Sequence, residues 1–164
     1  QPARILAGWP AHEQSYLGLG RLEVIKGPGA LTNFDNKAIL LRYELGQESL
    51  RAGETLRVLL EWQCVSPMNR DYTVFLHLLD SEQRVRAQID CYPVNGTRPT
   101  SQWRQGETLV DLYELLLPAN LPSGSYVVEA GLYLAATMER LPVVDDNLRS
   151  IDDRVLLGAV SVVQ

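Results

Sequence analysis

A chain of 164 residues, 46% apolar and 21% charged, has the size and balance of one globular domain, able to bury about 70% of the surface it exposes when unfolded. A net charge of -5, with neither basic clusters nor interleaved aromatics, argues against nucleic acid or an anionic membrane as partner. No apolar run approaches the roughly 18 residues of a membrane span, and no signal peptide is visible.

The chain starts at Gln1 rather than Met. The expectation is therefore a processed product or a piece of a longer protein, with any anchor or export signal in the remainder. Residues 1–16 hold Pro2, Gly8 and Pro10 without periodicity, as a leading arm or linker would, with Trp9 to dock it. Leu17–Ile25 is a candidate first strand, broken by Gly27-Pro28-Gly29. Residues 1–33 are expected to be a leading arm or linker with a possible first strand, ahead of a sandwich domain over 34–164 whose start is the one that the resemblance given below implies.

Ala38–Leu45 reads as a strand, followed by the polar loop Gly46–Ser49. Thr55–Cys64 has the cleanest period of two. Leu56, Val58, Leu60, Trp62 and Cys64 share one face; Arg57, Glu61 and Gln63 share the other, with Leu59 the exception. That is a strand with one buried and one wet face. Asp71–Asp80 is apolar on both faces, with Tyr72, Val74, Leu76 and Leu78 on one and Phe75 and Leu79 on the other. A strand covered on both sides is expected mid-sheet. The short turn Asp80–Gln83 joins it to Arg84–Asp90 as a hairpin, with Val85, Ala87 and Ile89 inward.

Cys91–Gln105 is a long connection. Leu109–Leu117 and Tyr126–Leu134 are further strands, Ala135–Leu141 a polar turn, and 142–153 an irregular acidic stretch. Arg154–Val163 closes the chain, with a bulge expected at Gly158. Turn signals every 8–12 residues or so, and no amphipathic helix, predict an all-β fold. The expected form is an antiparallel β-sandwich, immunoglobulin-like or jelly-roll, of about seven to nine strands. Arg51-Ala52-Gly53-Glu54-Thr55-Leu56 is echoed by Arg104-Gln105-Gly106-Glu107-Thr108-Leu109. With unlike flanks, this is one turn used twice rather than a duplicated domain.

Several side chains invite a functional assignment. Trp103, Tyr92, Tyr113 and Arg98 combine aromatic faces with a cation, as a sugar platform does. The competing assignment makes Trp103 a plug under the long connection. Trp62 belongs to the core, and Tyr126, after Leu121-Pro122, to a tyrosine corner. His77, between Phe75 and Leu79, is expected to be packed and hydrogen-bonded rather than catalytic. Asp145, Asp146, Asp152 and Asp153 offer some of the roughly six to eight oxygens calcium wants, but in no calcium-loop spacing, so a solvated loop is expected. Glu61, Asp111, Glu114 and Glu129 fall on strands and are candidates for an outward row, as a glycosidase would need. No nucleophile elbow is present and no catalytic residue is assigned, so neither an enzyme nor a cofactor is expected. Asn95-Gly96-Thr97 reads first as a turn. Cys64 and Cys91, each at a strand end, are either a disulfide or one buried and one half-exposed thiol.

A resemblance adds to this. In order come Arg51–Leu56, Glu61-Trp62, Asp71–Asp80, Tyr92-Pro93, Pro99-Thr100-Ser101, Trp103, Gly106-Glu107 and Asp111. Leu117-Pro118, Leu121-Pro122, Gly124, Tyr126, Gly131-Leu132-Tyr133 and Arg140-Leu141-Pro142 follow. Over roughly residues 34–163 the chain resembles the soluble C-terminal β-sandwich domain of bacterial multi-span membrane proteins related to the dolichyl-phosphate-mannose and aminoarabinose glycosyltransferases. The resemblance implies an extracytoplasmic location, a membrane-spanning parent and catalytic carboxylates that lie elsewhere in it. Cys64 and Cys91 depart from the pattern, which points to a local disulfide. The expected role is a non-catalytic accessory domain whose partners are a glycan or the membrane part of its parent. The alternative is a carbohydrate-binding module with a Trp103/Tyr92 platform.

Overall fold

The computed structural model describes residues 25–26 and 31–164. Trp9, His12, Gly27-Pro28-Gly29 and the candidate strand up to Val24 lie outside the described residues. The rest is all-β, with one 3-10 turn at Thr100–Gln102. The strands are β1 (Ile25–Lys26), β2 (Thr32–Phe34), β3 (Ala38–Leu45), β4 (Ser49–Arg51), β5 (Thr55–Cys64), β6 (Thr73–Leu79) and β7 (Val85–Cys91). Then come β8 (Thr108–Leu116), β9 (Gly124–Leu134), β10 (Glu139–Arg140), β11 (Val143–Val144), β12 (Ser150–Asp152) and β13 (Val155–Val163). Seven are of seven residues or more and match the expected long strands. The others are two- and three-residue pieces too short to carry a period. Two of these, β11 and β12, fall in the stretch 142–153 expected to be irregular, and β10 falls in the expected polar turn Ala135–Leu141.

Two sheets face each other. The first runs β12-β11-β2-β3-β5-β8, with β1 also on β3; the second runs β4-β13-β9-β6-β7, with β10 on β9. Residues on both sides of the expected 33/34 boundary thus pair with β3. All pairs are antiparallel except β4 with β13. β6 is interior but off centre, between β9 and the edge strand β7, and all seven of its residues are buried. The bulge on β13 falls between Leu156 and Gly158.

The alternation of β5 sends Leu56, Val58, Leu60, Trp62 and Cys64 into the core, where they meet Val74, Leu76, Leu78, Val128, Ala130 and Leu132 of the opposite sheet. Each buried leucine or valine contributes about 1.5–3 kcal/mol. The echoed hexapeptides make the same turn. Gly53 and Gly106 take φ of 85° and 79°, in the region that favours glycine. Glu54 and Glu107 each accept from the backbone N–H three residues back, at 2.8 and 2.9 Å. Tyr126 donates to the Pro122 carbonyl at 2.8 Å, the expected corner.

Candidate functional site

The expected aromatic platform does not form. Trp103 follows the 3-10 turn, which directs its ring inward; it is 3% exposed and its Nε1 donates to the Arg98 carbonyl at 2.9 Å. Tyr113 shares the inward parity of Leu109 and Leu115 and is buried. Arg98 is paired with Glu107. Tyr92 alone of the four is exposed, at 41%, and among the described residues it has no aromatic companion there. Nor do the strand carboxylates form a row. Glu61 is paired with Arg42 and Glu114 with Arg57 on the first sheet's outer face, Asp111 points into the interior, and Glu129 lies on the second sheet.

Asp111 is fully buried and, among the described residues, has no cation beside it. Its carboxylate accepts from the Val94 N–H at 3.0 Å and the Tyr113 hydroxyl at 2.5 Å. Burial pushes its pKa up to about 6, less the help of those two bonds. Val94 has φ of 55°, costly for a β-branched residue, and the bond to Asp111 fixes it there. Asp111 therefore anchors the long connection.

Cys64 and Cys91 are free thiols. The Cys64 Sγ donates to the Ser66 carbonyl at 3.3 Å, whereas Cys91 lies beside Tyr113 and Asp111. The expected disulfide is not formed, because the two sulfurs end in separate environments. Asp145 accepts from the Asn147 and Arg149 N–H groups and so closes its own turn; Asp152 accepts from the Asp153 N–H. Among the described residues, no group of three or more His, Cys, Asp or Glu side chains is placed to hold a metal ion. Nor, among those residues, is any helix long and apolar enough to cross a membrane.

The polar groups that do converge lie on the outer face of the second sheet. Register sets His77 of β6 opposite Glu129 of β9, and Phe75 opposite Gly131. His77 contacts Glu129 Oε1 through Nδ1 at 3.0 Å and Asp90 Oδ1 through Nε2 at 3.3 Å. With a carboxylate at each ring nitrogen, both contacts are hydrogen bonds only when both nitrogens carry protons. Glu129 also accepts from Arg154 at 2.5 Å, and Arg140 lies 3.7 Å away. Burial alone would raise the Glu129 carboxyl; the bonds from His77 and Arg154, with the charges of Arg154 and Arg140, hold it below the usual range. The Arg140 guanidinium lies 4.2 Å above the Phe75 ring and donates to Asp153 at 3.3 Å.

Beside this network the face opens into a depression of about 550 Å³. Arg140 and Asp153 form the wall shared with the network. Arg70, Tyr72, Met138 and Glu139 form the rest, with Leu134 and Leu141. The turn before β6, the β9–β10 turn and the β12–β13 turn all contribute. The β9–β10 turn is closed by the Met138 N–H on the Leu134 carbonyl at 2.8 Å. The sequence stretches 71–80 and 131–142 contain Tyr72 and Arg140, but nothing in sequence spacing joins them. An apolar strand with a histidine on its second face, opposite a strand with a lone glutamate, was the available signal.

No family model matches the chain, and no curated protein matches it. Among solved structures, the C-terminal domain of wzt is similar in fold, with a TM-score of 0.52 at 13% identity over 87% of this chain and 79% of that one. At that identity the likeness concerns the fold.

Proposed function

We propose that this chain is a non-catalytic accessory domain that contacts glycan through the outer face of its second sheet. The observation that carries this is the depression at Tyr72 and Arg140, one wall of which, Arg140 with Asp153, is held by the His77–Glu129–Arg154 network. An aromatic ring with a few oriented polar groups is what a sugar needs, and prior fixation lowers the ordering cost of binding. The four carboxylates Glu61, Asp111, Glu114 and Glu129 are engaged by arginine, histidine or backbone partners, which supports binding rather than hydrolysis. The motif order over 34–163 supports an extracytoplasmic domain of a membrane glycosyltransferase-like parent. The fold shared with a C-terminal domain supports a module of a larger protein.

The direct experiment is a glycan array probed with this chain and with Arg140→Ala. Retention of a glycan set that the variant loses is the expected result; signal at background for every glycan would remove glycan contact from the proposal. For location, the domain should be digested by protease added outside intact spheroplasts of the source cell. Protection until lysis would place it inside.

A further inference from the structure

The depression has a charge pattern that selects among sugars. We propose that it holds a neutral pyranose ring, an inference that rests on the glycan contact proposed above. Four charged side chains line it, two guanidinium groups (Arg70, Arg140) and two carboxylates (Glu139, Asp153). Arg140 and Asp153 bond to each other. Arg70 and Glu139 are both exposed, and among the described residues neither side chain has an ion-pair or hydrogen-bond partner. One wall thus offers unused donors and another unused acceptors, beside the half-buried ring of Tyr72.

A sugar hydroxyl both donates and accepts, so neighbouring hydroxyls of one ring satisfy Arg70 and Glu139 together. A carboxylate or phosphate on the sugar would satisfy Arg70 but face Glu139 and Asp153. An ammonium would satisfy Glu139 but face Arg70 and Arg140. Either charged sugar leaves one like-charge contact, and such contacts are how a site rejects the wrong ligand. The apolar face of the ring has Tyr72 and Met138 to lie against. The volume of about 550 Å³ lies within the range of small-molecule sites.

The test compares three probe sets on the same chain: neutral hexose oligosaccharides, uronic-acid oligosaccharides, and an amino-sugar polymer such as chitosan. Binding is then repeated with Arg70→Ala, Glu139→Gln and Tyr72→Ala. Arg70 and Glu139 are exposed, so those two variants keep the test independent of folding, and melting temperatures check it. Retention of the neutral set, weakened at least roughly tenfold by each variant, is the expected result. Retention confined to the charged sets overturns the assignment while glycan contact stands. So does neutral binding that Arg70→Ala and Glu139→Gln leave unchanged. Retention of none of the three overturns both.

Discussion

The ring of Phe75 lies against the backbone of Gly131 on the neighbouring strand, so closely that a β-carbon at Gly131 would stand 2.4 Å from Phe75 Cζ. The carbonyl of Asp153 would be 3.3 Å away on another side. The Arg140 guanidinium then covers the outer side of the same ring. A large aromatic on an outer sheet face is buried because the strand beneath it carries no side chain there.

Gly131→Ala should therefore destabilise the fold by about 1–3 kcal/mol through overpacking. Urea denaturation measures it. Combining it with Phe75→Leu should recover part of the loss, since neighbours in contact do not add. Strict additivity of the two would show that the ring is not the obstacle.

Trp103→Ala should cost about 3–5 kcal/mol, as for large core truncations, because the indole fills the core beneath the long connection. The array signal of the folded fraction should not change, because the ring has almost no exposed surface. Loss of glycan retention at unchanged stability would restore the aromatic platform.

Asp111 makes stability depend on pH. Its carboxyl is raised from 3.8 to about 6, so between those values the folded chain holds a proton the unfolded chain has lost. The favourable contribution is complete below about 4 and disappears as pH rises through about 6, a change of about 3 kcal/mol. Asp111→Asn cannot titrate and retains an oxygen for the Val94 N–H. Denaturation midpoints between pH 4 and 7 should slope less in the variant than in the parent. Equal slopes would assign the effect to other groups.

The thiols should behave independently. Burial raises both, helped by the charge of Glu107 at Cys64 and of Asp111 at Cys91. At neutral pH a thiol reagent should label half-buried Cys91 slowly and buried Cys64 only after denaturation. Dithiothreitol should leave the melting temperature unchanged. A drop on reduction would mean that the sulfurs are joined.

Much of the fold was legible because a buried face repeats every second residue. Leu56 to Cys64 on β5 announce their side of the sheet, and Ala38–Leu45 was bounded to the residue. Gly53-Glu54 and Gly106-Glu107 announced a repeated turn for a local reason, a glycine conformation followed by a carboxylate that accepts from the N–H three residues before it. The site was not legible, because it depends on register between strands. His77 and Glu129 are 52 positions apart, and Tyr72, Glu139 and Asp153 meet only after three turns have been placed. Parity misled at Asp111, a carboxylate on the inward side of β8, because its partners, Val94 N–H and Tyr113, come from a loop without a period and from its own strand.

The parallel contact of Ser49–Arg51 with Ser161–Val163 ties a short early strand to one that lies more than a hundred positions later. Loss of β13 would therefore leave β4 without its strand neighbour and bare one edge of β9. An unpaired edge of that kind invites pairing with another chain.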